Sequence, residues 1–261
     1  MIAALAASGI FLVLAMAGAW VVQRRTGNSG WIDTTWSFAV GVASVLGLLL
    51  LRIPAARRWL LILLVAAWSL RLGAHILART TRISDDPRYA RLMAEWGQDA
   101  APRRLFWFLQ AQALAGGVLV LAILLAALAT GPVLAPLTLV FSALALVSVV
   151  GEAMSDAQLA AFKREAAAGS LCERGLWSLS RHPNYFFEWL FWVSVSGLAI
   201  SAPWGWVSTL ALVAPLMMYV LLRYGSGVPH LEAHMRRTRP EAFAAYAARV
   251  PEFFPRIQWS R

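Results

Sequence analysis

Apolar residues run along this chain in long blocks, broken by links that hold most of the charge. A helix that crosses a bilayer needs roughly 20 mostly apolar residues, and seven blocks approach that length: 2–22, 36–51, 58–78, 106–130, 133–151, 186–202 and 205–223. The pattern predicts an all-α polytopic membrane protein with seven transmembrane helices, organised as one domain over residues 1–261. No basic stretch precedes the first block, and it ends at Gln23-Arg24-Arg25 rather than at a small-residue cleavage site. It therefore reads as a retained helix, not a signal peptide. The longest polar link, 79–104, mixes six Arg with four acids and is expected to form a short cytoplasmic helix. The link 156–184 looks similar.

Composition agrees. The chain is 60% hydrophobic and 14% charged, with a mean hydropathy of +0.64, whereas a soluble domain has about 45–50% apolar and about 25% charged residues. A soluble enzyme and a disordered tail are excluded, and the single Cys172 cannot pair within the chain.

The net charge of +10 would ordinarily suggest nucleic acid, but its distribution points elsewhere. Of the 23 Lys and Arg, two, six, four and seven fall after the first, third and fifth blocks and in the tail, while Arg52, Arg57 and Arg58 lie on the opposite side and Arg71 lies inside a block. By the positive-inside rule this predicts an integral membrane protein with the N-terminus outside and the tail (about 224–261) cytoplasmic. The basic surplus is a topology signal, and no nucleic-acid partner is expected.

Polar residues inside or beside the blocks are the candidates for chemistry, because lipid disfavours them. Asp33, between Trp31 and Trp36, reads either as a helix N-cap or as a carboxyl projecting into a cavity, where burial would keep it neutral and able to donate to a carbonyl oxygen. Trp68, Arg71 and His75 share one face of the third block, a face that should look inward. Glu152 and Asp156, at i and i+4, are either interfacial or part of a polar wall facing a ligand cavity, with Gln158 and Lys163 close behind. The densest run is 175–192. Its Arg181-His182-Pro183-Asn184-Tyr185 turns from loop into helix at Pro183, a terminus with free N–H groups and a positive dipole end for an anion. Asn184, Glu188 and Trp192 then recur on one stripe. An aromatic belt with a snorkelling Arg accounts for the Trp and Arg, but not for Glu188.

Arg181-His182-Pro183-Asn184-Tyr185 with Glu188 and Trp192 resembles the cofactor motif of the membrane steroid 5-alpha-reductase family, in particular its bacterial members of uncharacterised-domain type. The resemblance covers most of the chain, including the Asp33 and Trp36 segment, the Arg71 and His75 helix, 79–96, 152–163, and the closing 226–232 with Tyr246 and Pro255. It implies a seven-helix enzyme that takes NADPH from the cytosol and a flat lipophilic, steroid-like enone from the bilayer, and delivers hydride to the enone's β carbon. By the same resemblance Asp156, Lys163, Asn184, Tyr185, Glu188, Trp192 and the His230 and Glu232 region are expected cofactor contacts, with His182 beside them and with Arg82, Arg91 and Arg181 candidates for the phosphates. Asp33 and Tyr89 are the candidate catalytic pair, and Trp36 and Trp68 the candidate substrate contacts. One departure stands out. The animal enzymes polarise the ketone with a Gln-Glu pair on the second helix and a Tyr on the third, where this chain has only Asp33 and Trp68.

Phospholipid and isoprenylcysteine methyltransferases carry a similar Arg-His-Pro-x-Tyr, so an S-adenosylmethionine-dependent membrane methyltransferase is the alternative. The four His are scattered and argue for no metal site. No glycine-rich fingerprint follows a strand pattern, so a dinucleotide would be held by helices and loops.

Overall fold

Lipid offers backbone N–H and C=O groups no partner, so a chain that crosses it must bond to itself. The computed structural model describes residues 1–167, 169–200 and 205–256, and among them every regular element is helical: α1 (Ile2–Thr26), α2 (Gly30–Leu50), α3 (Ala55–Thr80), α4 (Pro87–Trp96), α5 (Ala101–Ala127), α6 (Pro136–Glu165), a single 3-10 turn (Gly175–Ser178), α7 (Pro183–Ile200), α8 (Trp206–Ala211), α9 (Val213–Tyr224), α10 (Val228–Thr238) and α11 (Pro240–Arg249). Among the described residues six stretches are long and apolar enough to cross a membrane: α1, α2, α3, α5, α6 and the run Ser208–Thr238, which holds α9 and α10. Of the seven expected, the block at α7 does not reach that measure. The described part of the block 186–202 lies in the helix α7, but Asn184, Tyr185, Glu188 and Trp189 in its first half dilute its apolar character. The uncharged link 201–204 lies outside the described residues.

Two further expectations shift. The second helix starts at Gly30, six residues before its apolar block, so Asp33 sits inside its first turn and the N-cap position belongs to Ser29. The link 156–184 does not mirror 79–104: Asp156 and Lys163 lie on the last turns of α6, which runs on to Glu165, whereas 79–104 forms the expected short helix, α4.

The chain packs as two compact units, 1–139 with 195–213, and 140–194 with 214–261. In the first, α2 lies against α1, α3 and α5, and α4 and α8 pack on α5. Gly41 allows the close approach of α2 and α3, since a Cβ there would stand 2.2 Å from the Ser69 Oγ. Such small-residue contacts let helices approach in lipid, where apolar burial drives little association. Ile10, Leu14, Leu63, Leu70 and Leu114 are exposed, which suits a surface against acyl chains.

Polar stitching holds the end of this bundle where α4 lies. α1 stops at Gly27, which takes φ 71° and returns its N–H to the Gln23 carbonyl. Asn28 then donates to the Thr80 and Ile83 carbonyls at 3.1 and 2.8 Å, and the Ser29 N–H and hydroxyl both donate to Asp85. Asp86 caps α4 by accepting from the Arg88 N–H, with Pro87 at the first helical position, where its missing N–H is no loss.

In the second unit, the tail lies along the segment that precedes α7. The Arg181 N–H donates to the Pro251 carbonyl, the Arg256 N–H to Leu179, and the Ser180 hydroxyl to Phe253 at 2.8 Å. Phe243, Tyr246 and Val250 form a small core with Leu171, Met235 and Ala247, and the Tyr246 hydroxyl donates to the Trp177 carbonyl at 2.6 Å.

Candidate functional site

The residues singled out from the sequence fall into two sets, one in each unit. In the first, α2 and α4 bring Asp33 and Tyr89 together, and the Tyr89 hydroxyl donates to Asp33 Oδ1 at 2.7 Å. Arg88 donates to Asp33 Oδ2 and is bound again by Asp86, through Nε at 3.0 Å and a terminal nitrogen at 2.8 Å. Arg79 completes the group, 2.9 Å from Asp86 and 4.0 Å from Asp33. Both Asp33 oxygens therefore face donors, one of them a guanidinium. A neutral Asp33 donating to a ketone, the expectation from its sequence setting, is replaced by an Asp33 that accepts. The donor in the pair is Tyr89.

Gln112 of α5 extends this chain, donating from Nε2 to the Tyr89 oxygen at 2.8 Å. Its backbone carbonyl accepts from the Trp36 indole at 3.0 Å, and Trp36 meets the fully buried Trp68 edge to face, with centroids 6.5 Å apart. Arg71 is half-buried and His75 exposed, so the face they share with Trp68 is not uniformly enclosed. Arg82 and Arg91 are exposed, Arg91 pairing with Glu95 at 2.9 Å.

Burial, and then the charge of Asp33, pushes the Tyr89 phenol well above its ordinary range, with the Gln112 hydrogen bond and Arg88 opposing. Tyr89 thus stays a protonated donor. Burial would lower the Arg88 guanidinium, but the charges and hydrogen bonds of Asp33 and Asp86 raise it above its ordinary value. For Asp86 burial acts upward and is outweighed by the bonds and charges of Arg88 and Arg79, so its carboxyl titrates below the usual 3.8.

A family model described as a protein of unknown function, DUF1295, matches residues 19–250. The chain belongs to the DUF1295 family. No curated protein and no solved structure matches it. The span that defines this DUF1295 member includes every side chain of both sets.

The second set surrounds the start of α7. Asn184 donates to Asp156 Oδ1 at 3.3 Å, Trp192 donates to the buried Glu188 at 2.9 Å, and the His182 and Tyr185 rings stack at 5.7 Å. Glu232 of α10 is 3% exposed and receives Arg181 at 2.8 Å, His182 at 3.3 Å and Arg236 at 3.0 Å. Burial lowers the His182 pKa, against the pull of Glu232.

Arg181 is not open to a phosphate. Its Nε and one terminal nitrogen reach Glu232, and the other donates to the Val250 carbonyl at 2.7 Å and, at 3.4 Å, to Ala247. It is a strut between α10 and the tail, which also pairs with the backbone and side chains of 179–181 leading into α7. Lys163 and His230 are exposed. A cleft of about 370 Å³ lies next to Glu232, lined by Arg223, Tyr224, Val228, Pro229, Arg236 and Glu252 among others.

Sequence reasoning missed Gln112, Arg88, Asp86 and Arg79. The signal for Gln112 was present, an amide within an apolar block, but no second polar residue shares its stripe of α5. The arginines and Asp86 were lost among the mixed charges of 79–104.

Proposed function

We propose that the protein is a membrane-embedded, NADPH-dependent reductase that saturates the C=C bond of a lipophilic enone such as a 3-oxo-4-ene steroid. The observation that carries the reading is the hydrogen-bonded chain from Gln112 through Tyr89 to Asp33, backed by Arg88, within an apolar helical bundle. Reduction of an enone builds negative charge on the ketone oxygen, and a fixed donor in a water-poor site stabilises that charge by several kcal/mol. Tyr89 supplies a neutral O–H, Asp33 orients it, and Arg88 offsets the charge that develops when the proton moves. Trp36, set edge to face against the buried Trp68, offers a flat apolar surface to a polycyclic substrate.

NADPH, when bound, supplies the hydride. The second unit suits such a group: Asn184, Asp156 and Tyr185 are half-buried and offer an amide, a carboxylate and a ring, and the cleft beside Glu232 presents Arg223 and Arg236. Cleft volumes of this order are at the low end of ligand sites, fitting one portion of a dinucleotide. In this reading Asn184, Asp156, Tyr185, Glu188 and Trp192 hold the cofactor, with His230 nearby and Lys163, Arg82 and Arg91 available to phosphates. α7 serves as a seventh, partly polar crossing, the tail lies in the bacterial cytoplasm and the N-terminus outside.

The cofactor class is tested by thermal unfolding of detergent-purified protein. NADPH is expected to raise the melting temperature and S-adenosylmethionine to leave it unchanged. The reverse pattern would assign the methyltransferase chemistry instead, and no shift with NADPH would remove the cofactor.

A further inference from the structure

A tyrosine hydroxyl has one proton, and the Tyr89 proton is directed at Asp33, an acceptor when ionised. The Tyr89 oxygen must then accept from Gln112, which fixes the amide with its NH2 toward Tyr89. The Gln112 Oε1 is left buried and without a hydrogen-bond partner among the described residues, an arrangement that costs free energy. An apolar side chain of similar size would fill the space without that cost. The worth of the amide therefore lies in its NH2 and in what that group does to Tyr89.

We propose that Gln112 is a positioning residue for the reduction: its NH2 commits the Tyr89 proton to the side of Asp33 and holds the phenolate left when Tyr89 gives that proton up, while its backbone carbonyl holds Trp36. This rests on the reductase reading. In that reaction a C–H bond forms at the β carbon as hydride arrives, and the Tyr89 O–H bond breaks as an O–H bond forms at the ketone oxygen; the enol so made takes a proton from water at the α carbon and returns its O–H proton to water. Tyr89 is left as a phenolate facing the Gln112 NH2 on one side and Asp33 on the other, with Arg88, over the Tyr89 ring and bonded to Asp33, offsetting the negative charge until a proton from water restores the phenol. The charged groups that face this phenol are Asp33 from α2 and Arg88 from α4; Asp86, from the turn before α4, pairs with Arg88, and Arg79, from α3, with Asp33.

The test uses full-length protein in lipid, with NADPH and a 3-oxo-4-ene steroid, and two variants. Gln112→Leu is expected to lower kcat about tenfold, the scale of one hydrogen bond, with KM for NADPH unchanged, and to add nothing to the loss caused by Tyr89→Phe. Gln112→Glu carries the sharper signature. Protonated, it donates to Tyr89 as the amide does; ionised, it can only accept, and turns the Tyr89 proton away from Asp33. Its activity is expected to fall as pH rises through the glutamate pKa and to return on acidification, a profile the wild type lacks. The 13C resonance of the Tyr89 Cζ, assigned by its loss in Tyr89→Phe, is expected to move in Gln112→Leu and to follow the same pH in Gln112→Glu.

A wild type that turns over while Gln112→Leu keeps full kcat and an unmoved Tyr89 resonance would overturn the role of Gln112 alone. Failure of the wild type to oxidise NADPH with any enone would overturn the reductase reading and this inference with it.

Discussion

Asp33 is the residue on which the chemistry turns, because it is where a phenol and a guanidinium meet. Replacing its charge leaves the shape of the side chain but exchanges the carboxylate that aims Tyr89 for a weaker amide acceptor and takes the counterion from Arg88. Asp33→Asn is expected to lower turnover about 100-fold, within the range for a lost acid–base partner, while NADPH affinity, measured by fluorescence titration, stays the same. Equal losses of binding and turnover would contradict this division. Asp86 makes a different prediction. Its folded pKa lies below the ordinary value of 3.8, so the stability it adds is complete above that pH and is lost as pH falls through the lower, folded value. The melting temperature of wild type is therefore expected to exceed that of Asp86→Asn by a constant margin at neutral pH, and the margin should shrink below about pH 4; a margin independent of pH would contradict it. At this scale the sequence marked Asp33 by its place between two Trp, but not its partners, because the donors that surround it come from 79–89, more than 40 residues away. Gln112 was visible as an amide in an apolar block, but its role was not, since that depends on Tyr89 lying against it.

Helices were legible where apolar character is continuous and illegible where it changes within one element. α1, α3 and α5 follow their blocks closely. α2 begins early because Gly30 to Thr35 is polar enough to look like a link, although Asn28 ties its start to the end of α3 and Ser29 ties it to Asp85, just before α4. α6 outruns its block because its last turns carry Asp156, Lys163 and Arg164, where a helix leaving lipid needs no apolar face. Elements also decide the second unit. Glu232 joins α10 to the loop before α7, and Arg181 joins that loop to the tail, so removing the carboxylate leaves a buried guanidinium without its counterion. Such losses cost about 3 to 5 kcal/mol. Glu232→Ala is expected to lower the melting temperature and to make the chain after α9 a substrate for limited proteolysis, whereas Glu95→Ala, which removes an exposed pair, should do neither. An intact tail in Glu232→Ala would contradict the clamp.

For the molecule as a whole, the excess of arginine served as a topology signal, and the two units divide the proposed labour: donor chemistry in the first, cofactor contacts in the second. Fold class was legible because hydropathy reports on the solvent, which here is lipid. Substrate was legible only through resemblance, because the chemistry of a ketone-polarising donor looks the same for any enone. The most direct measurement is oxidation of NADPH by purified protein in lipid, followed at its near-ultraviolet band, with and without a 3-oxo-4-ene steroid. Oxidation that depends on the steroid, is abolished in Tyr89→Phe and is sharply reduced in Asp33→Asn is the expected result. Oxidation that ignores the steroid, or that persists unchanged in both variants, would contradict the assignment.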